Sequence, residues 1–289
     1  MKKILITGAS GQLGSELMKL FDDREFRVFG TYNTKKPKSF PRKKIFRLDL
    51  SKEQEIRDAI KSIRPDNIIH CAAMTNVDEC EKYPNIAHNI NAKSTEVISE
   101  LAEELGSRML YVSTDFVFDG LDGNYDESHE TKPIQVYGKT KLRGEEAVRK
   151  MTEDSYCIVR TSVVFGPDPG NFVSWVTESL RLGKRIQIVD DQFVTPTYSV
   201  DLAEKISMLV TKSKNGFWNV ACSNRLSRFE MAGIISNTLG VGSDSIKTAK
   251  MADMEWSAMR PTDSSLNTEK IDTEHRTISF EDCLERMYR

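Results

Sequence analysis

The chain opens with a short apolar run, Ile4-Leu5-Ile6, then a glycine-rich turn, then Leu13, Leu17, Met18 and Phe21 at helical spacing. An unbroken apolar run of that length suits a strand buried on both faces, and the recurrence every four residues predicts a helix over Gln12–Asp22. The same alternation continues downstream. Strands are predicted at Lys3–Thr7, Arg27–Thr31, Ile45–Leu48, Asn67–Cys71, Met109–Ser113 and Cys157–Arg160. Between them, a helix from Ser51 to Ile63 opens with a Ser51-x-x-Gln54 capping box. A long helix carries Ile90, Ser94, Val97, Leu101 and Leu105 and stops at Gly106, and a further helix covers Tyr137–Met151. Strands alternating with helices predict right-handed crossovers, hence an α/β fold with a Rossmann-like, doubly wound parallel sheet.

After Arg160 the pattern loosens. Pro167, Pro169 and Gly170 mark a loop. Helices are predicted over Asn171–Leu182, Val200–Val210, Met231–Leu239 and Phe280–Tyr288, with short strands at Gln187–Val189 and Phe217–Val220. This divides the chain into a dinucleotide-binding domain, residues 1–165 and 191–222, and a smaller C-terminal substrate lobe, residues 166–190 and 223–289. Ligands are expected between the lobe and the carboxyl ends of the strands.

Composition narrows the function classes. The 289 residues carry a net charge of −2 and 29% charged residues, which argues against a general nucleic-acid or membrane-surface role. No apolar run reaches membrane-spanning length and no signal-peptide pattern opens the chain, so a cytoplasmic protein is expected. The five cysteines, odd in number and without a CxxC, fit a reducing compartment. None of the four histidines has metal-ligand spacing, and His70, in the apolar run IIHCAA, reads as a hydrogen-bonded strand-end residue. The cluster Lys35, Lys36, Lys38, Arg42, Lys43 and Lys44 is a local basic exception.

Two patterns carry chemistry. Gly8, Gly11 and Gly14 stand at intervals of three between a strand and a helix, where a backbone without side chains can approach a pyrophosphate and the helix N-terminus can face it. Tyr137 and Lys141, in YGKTK, lie four residues apart and share a helix face. A phenol has a pKa of about 10, and an ammonium beside it would lower that value toward neutrality. Thr114, in Ser113-Thr114-Asp115, ends a predicted strand; it is either a hydroxyl donor to a reacting carbonyl or a strand-end cap.

The ordered motifs ITGASGQLGSEL, CAAMTNVDECE, STDFVFDG, YGKTKLRGE, VRTSVVFG, VDDQFVTPTY and RPTDSSL span nearly the whole chain. They resemble the dTDP-4-dehydrorhamnose reductase family of the extended short-chain dehydrogenase/reductases. That resemblance implies reduction of the 4-keto group of a nucleotide-linked 6-deoxy sugar, in dTDP-rhamnose and cell-surface polysaccharide biosynthesis, with NADPH or NADH as cofactor. It makes Thr114 the hydroxyl that meets the keto oxygen, Tyr137 the proton donor, and Lys141 the residue that binds the nicotinamide ribose and lowers the tyrosine pKa. Gly8, Gly11, Gln12, Leu13 and Gly14 match the pyrophosphate turn, and Asp49 and Leu50 the adenine contact. Cys71, Ala72, Ala73 and Thr75 match the segment beside the cofactor's ribose and phosphate, and Asn91 an asparagine supporting the active site. Arg260 matches a substrate-side arginine able to fork onto a diphosphate, with a surface salt bridge as the other reading.

The chain departs from the family pattern at Val163, where many members have a tryptophan near the sugar, and at Asp263, where an asparagine is usual. Some members bind a structural metal at a dimer interface. Glu16 matches one such position; with no other ligand position identified, no metal is expected, and a homodimer is the candidate assembly. Asp115 is followed by Phe116 instead of the glutamate of the dehydratases, which argues against dehydration. Besides an epimerase or dehydratase, the other reading is a cofactor-binding regulatory subunit of the methionine adenosyltransferase type. The second strand ends Gly30-Thr31-Tyr32-Asn33-Thr34-Lys35-Lys36, without the acid that an NAD site uses, so NADPH is the expected cofactor. Lys35 and Lys36 either reach the 2′-phosphate or remain solvated.

Overall fold

The computed structural model describes residues 1–21, 25–37, 44–152 and 155–288. Its first half runs β1 (Lys2–Thr7), α1 (Gln12–Leu20), β2 (Phe26–Tyr32), β3 (Lys44–Arg47), α2 (Glu53–Ile63), β4 (Asn67–His70), α3 (Val77–Lys82) and α4 (Pro84–His88). A π-helical turn, Asn89–Lys93, leads into α5 (Ser94–Leu105), followed by β5 (Arg108–Thr114), α6 (Val136–Thr152) and β6 (Cys157–Thr161). The second half holds β7 (Val164–Phe165), α7 (Phe172–Arg181), β8 (Ile186–Val189), β9 (Phe193–Val194), β10 (Thr197–Tyr198), α8 (Ser199–Thr211) and β11 (Gly216–Asn219). It ends with β12 (Leu226–Ser227), α9 (Arg228–Leu239), β13 (Ile246–Ala249), α10 (Glu269–Asp272) and α11 (Phe280–Tyr288).

Seven parallel strands form the central sheet in the order β11-β6-β5-β4-β1-β2-β3. The order reverses at β1, so the crevice between the carboxyl ends of β1 and β4 is the topological switch point where such sheets bind ligands. Successive residues of β1 point to opposite faces. Ile4 and Ile6 pack with Leu17 of α1 and Ile206 of α8, while Leu5 packs with Ile56 and Ile60 of α2 and Val97 and Leu101 of α5. Both faces are therefore sealed by helices, which is why these strands read as continuous apolar runs.

The C-terminal segments have their own core, in which Phe165, Val176, Ile188, Met231, Ile235 and Phe280 meet. Three two-stranded ladders, β10–β7, β12–β9 and β13–β8, brace it.

Two sequence expectations are corrected locally. The Ser51-x-x-Gln54 capping box does not form. Ser51 donates both its N–H and its hydroxyl to Asp49 Oδ1, at 3.0 and 2.7 Å, and Gln54 turns to Asp58. The neighbouring carboxylate captures the serine in a tight turn, so α2 starts at Glu53 after Lys52, without a side-chain cap. The long helix is likewise interrupted by its π-helical turn, although Gly106 ends it in the left-handed conformation as expected, φ 64°. Lys38, Arg42 and Lys43 lie outside the described residues. Among the described residues no helix is long and apolar enough to cross a membrane. All five cysteines are free.

Candidate active site

The glycine turn closes over the switch point. A Cβ on Gly14 would sit 2.1 Å from the Gly8 carbonyl oxygen, so only glycine lets α1 begin against the turn. A Cβ on Gly11 would meet nothing nearer than that same oxygen at 3.4 Å. Gly11 is the N-cap of α1 and supplies no side-chain cap to the first-turn N–H groups, and the neighbouring Gln12 Oε1 is buried without a partner. An open cradle and uncapped amides fit a dinucleotide pyrophosphate. Gly14→Ala is therefore expected to displace the turn, lowering both melting temperature and cofactor affinity, whereas Gly11→Val should lose cofactor affinity with an unchanged melting temperature. Thermal melts and cofactor titrations of the two variants check this; identical behaviour would refute the division of labour.

Across the crevice, Thr7 Oγ1 accepts the N–H groups of Cys71 and Ala72 at 3.2 and 3.1 Å. Asn91 is buried; its Oδ1 accepts Met74 N–H at 2.8 Å, and its Nδ2 donates to Met74 O at 3.0 Å and Thr140 Oγ1 at 3.2 Å. That amide shapes the segment containing Ala73 and Thr75 and ties it to α6. Asp49, below its usual carboxyl range because Ser51 hydrogen-bonds it, lies with Leu50 beyond β3. Lys35 and Lys36 are exposed just past β2.

The α6 helix reaches the end of β5 because Gly138, directly after Tyr137, has no side chain. A Cβ there would lie 2.0 Å from the Phe116 carbonyl oxygen. This seats half-buried Tyr137 edge-on to Phe116, ring centroids 6.1 Å apart, with its phenol facing the Thr114 hydroxyl. Thr114 is also a cap: its Oγ1 accepts Phe116 N–H at 3.2 Å and donates to Asp115 Oδ1 at 3.0 Å. Lys141 is buried one turn along, its Nζ donating to Val112 O at 2.7 Å and lying 4.0 Å from the Tyr111 ring centroid.

The expected lowering of the Tyr137 pKa is reversed. Burial pushes the phenol above its usual range, with Thr114 opposing and Asp115 assisting. Burial pulls Lys141 down to about 7, against the partial support of Glu145. The i,i+4 spacing does put both side chains on one face, but the ammonium is directed at Val112 O and the Tyr111 ring, and desolvation sets the direction of the shift at the phenol.

Sequence reasoning missed the roles of five charged residues, Asp115, Arg228, Asp78, Glu145 and Arg160. Asp115 is buried, accepts the Ser162 hydroxyl at 2.7 Å and that of Ser264, and is held above its usual range by burial. Arg228 donates to Gln192 at 3.3 Å; burial pulls it down to about 10, with Asp115 opposing and the like charge of Arg260 adding to the shift. The Ser227-x-x-Glu230 capping box that opens α9 was the available signal, since it fixes Arg228 at the helix start. Asp78 receives Arg260 Nη2 at 2.6 Å and the N–H groups of Ser257 and Ala258, binding the 251–260 segment to α3. Glu145 and Arg160 form a buried bidentate pair, 3.0 and 2.8 Å, that pins α6 to β6.

Arg260 thus sits in a largely buried ion pair, 11% exposed, stacked 4.9 Å over Trp256. Beside it is a cleft of about 350 Å³ lined by Ile134, Met251, Met254, Trp256 and Met259. Val163 lies where the chain turns from β6 into β7 and takes a positive φ of 43°, an uncommon and strained conformation for a β-branched side chain. Glu16 pairs with Lys19 at 2.7 Å. Among the described residues no group of three or more His, Cys, Asp or Glu side chains could hold a metal ion.

This geometry has close relatives. The RmlD substrate binding domain family matches residues 1–289. The spore coat polysaccharide biosynthesis protein SpsK of Bacillus subtilis is 33% identical, over 83% of this chain and 81% of that protein. The dTDP-4-dehydrorhamnose reductase of Aggregatibacter actinomycetemcomitans is 32% identical, over 94% and 92%. A crystal structure of dTDP-4-dehydrorhamnose reductase from Bacillus anthracis, in complex with NADP, superposes with a TM-score of 0.88 at 31% identity, covering 100% of this chain and 99% of that one. The chain belongs to the RmlD substrate binding domain family, within the extended short-chain dehydrogenase/reductases.

Proposed function

We propose that this protein is an NADPH-dependent oxidoreductase that reduces the 4-keto group of dTDP-4-dehydrorhamnose to give dTDP-rhamnose. The observation that carries the reading is Tyr137 facing Thr114 at the end of β5, with Lys141 one turn along α6 at the Val112 carbonyl, in a chain of this family. When bound, NADPH supplies the hydride that reduces the carbonyl carbon. The Gly8–Gly14 turn with Gln12 and Leu13 would hold its pyrophosphate, Asp49 and Leu50 its adenine, and Cys71, Ala72, Ala73 and Thr75 its ribose and phosphate, with Asn91 supporting that segment. Lys141 would hold the nicotinamide ribose. Tyr137 delivers the proton as negative charge develops on the keto oxygen, and Thr114 orients that oxygen. A phenol whose pKa is raised by burial stays protonated at neutral pH and suits a proton donor in the reducing direction. Arg228 and Arg260 together would hold the diphosphate, and Val163 would border the sugar. Asp115 is committed to Thr114, Ser162 and Ser264, so it is not free to act as the acid of a dehydratase.

We read residues 1–165 and 191–222 as the cofactor domain and 166–190 and 223–289 as the substrate lobe. Supporting this, α8 and β11 contribute Ile206 and Trp218 to the core beneath the sheet, whereas α7, α9 and α11 share a core of their own.

The test is NADPH oxidation at 340 nm with dTDP-4-dehydrorhamnose, beside GDP- and UDP-linked 4-keto sugars. Turnover confined to a different nucleotide sugar would reject the assignment. NADPH is expected to bind more tightly than NADH, and Lys35→Glu with Lys36→Glu to narrow the gap. Equal affinities in the unmodified protein would show that the two exposed lysines do not serve the 2′-phosphate.

A further inference from the structure

His70 ends β4 directly opposite Thr7 of β1, the two being register partners at the switch point. It is 1% exposed and stacks on Tyr111, centroids 5.5 Å apart. Its Nδ1 lies 2.7 Å from Thr7 Oγ1 and its Nε2 3.1 Å from Thr95 Oγ1. Which nitrogen carries the proton follows from counting hydrogens. A hydroxyl has one hydrogen and two lone pairs. The lone pairs of Thr7 Oγ1 take Cys71 N–H and Ala72 N–H, so its hydrogen goes to Nδ1. At the other side, Thr95 spends its hydrogen on Asn91 O at 2.7 Å, so it accepts from Nε2–H. Both ends independently demand the neutral Nε2–H tautomer. A second ring proton would face Thr7 Oγ1 with no lone pair to receive it. It would also add positive charge near Lys141, whose ammonium lies 4.0 Å from the centroid of the same Tyr111 ring. Burial, with Lys141 assisting, pulls the imidazole down to about 3.

The chain of bonds leads somewhere. On one side, Thr7 precedes Gly8 and holds Cys71 and Ala72. On the other, Thr95 holds the carbonyl of Asn91, whose amide holds Met74 and Thr140 of α6.

We infer that His70, fixed as its Nε2–H tautomer, is a positioning residue that keeps the two walls of the cofactor crevice in register with the helix bearing Tyr137 and Lys141. This rests on the reductase reading for its functional consequence, but not for its proton assignment.

Two measurements test it. In ¹⁵N NMR of the full chain, the His70 ring should show the Nε2–H tautomer and no titration from pH 5 to 8; an Nδ1–H ring, or a titrating one, overturns the inference. In NADPH titrations, His70→Phe, which loses both ring bonds, should raise Kd by about tenfold, the equivalent of ~1.4 kcal/mol. His70→Asn, whose carbonyl can still accept from Thr7, should recover most of that loss, and kcat at saturating NADPH should change far less than Kd in both. A role confined to stability would lower the melting temperature and leave Kd alone, which would also overturn it. Should His70→Phe fail to fold, the tautomer decides. If the unmodified protein binds no NADPH, the reductase reading fails separately.

Discussion

Tyr137→Phe is expected to cut turnover by about 10²–10⁴-fold while NADPH binds as before. The substitution removes one oxygen. The ring keeps its edge-on contact with Phe116, and α6 keeps the close approach that Gly138 permits, so the fold and the cofactor crevice are unaffected. What disappears is the proton donor facing Thr114. Thr114 cannot replace it as the acid: an aliphatic hydroxyl is a far weaker acid than a phenol, and its hydrogen, held by Asp115 Oδ1 in the free site, can only be turned to hydrogen-bond the keto oxygen. Stopped-flow NADPH oxidation with saturating sugar nucleotide, alongside fluorescence titration of NADPH, separates the two effects. Near-normal turnover in the variant would remove Tyr137 from the chemistry; lost cofactor binding would recast it as structural.

The parts of this site that were legible in the sequence are those built from one stretch of chain. The β1–turn–α1 unit announces itself because the apolar run, the glycines and the helical spacing are contiguous, and Gly14 has a steric reason within that same stretch. Tyr137 and Lys141 could be paired because a helix fixes which residues share a face. Where Lys141 directs its charge was not legible: that depends on the Val112 carbonyl and the Tyr111 ring, brought in by a different strand. Asp115, Arg228 and Asp78 escaped for the same reason, since each acquires its partner from a segment more than 35 residues away, such as Ser162, Gln192 and Arg260. The two-residue strands β7, β9, β10 and β12 are too short to show any period. The π-helical turn is a single-turn irregularity inside an otherwise regular apolar spacing, so the sequence predicts an unbroken helix through Asn91.

Lys141→Met is expected to abolish turnover and yet stabilise the protein at pH 6, by roughly 1–3 kcal/mol net of the lost Val112 hydrogen bond. Lys141 is 2% exposed, and its pKa falls from 10.5 to about 7 because burial penalises the charged form. The sign follows from proton counting. Below pH 7 both folded and unfolded chains carry the charge, and only the folded one has it buried, so the penalty is complete. Between about 7 and 10.5 the folded chain has released the proton and the unfolded chain still holds it, so stability rises with pH through that window. Above it the lysine is neutral in both states and the difference vanishes. Denaturant melts of the unmodified protein should therefore show a stability increment between pH 7 and 10 that Lys141→Met lacks, with the two proteins converging at the alkaline end. Activity runs the other way. In the free enzyme the charged form of Lys141 is the one that would hold the ribose, so kcat/KM for NADPH should fall as pH rises through about 7. Tyr137, raised by burial, should add no limb of its own near neutrality. A destabilised Lys141→Met protein, or a kcat/KM profile flat from pH 6 to 9, would show that this lysine is not held as a buried, costly charge at the cofactor site.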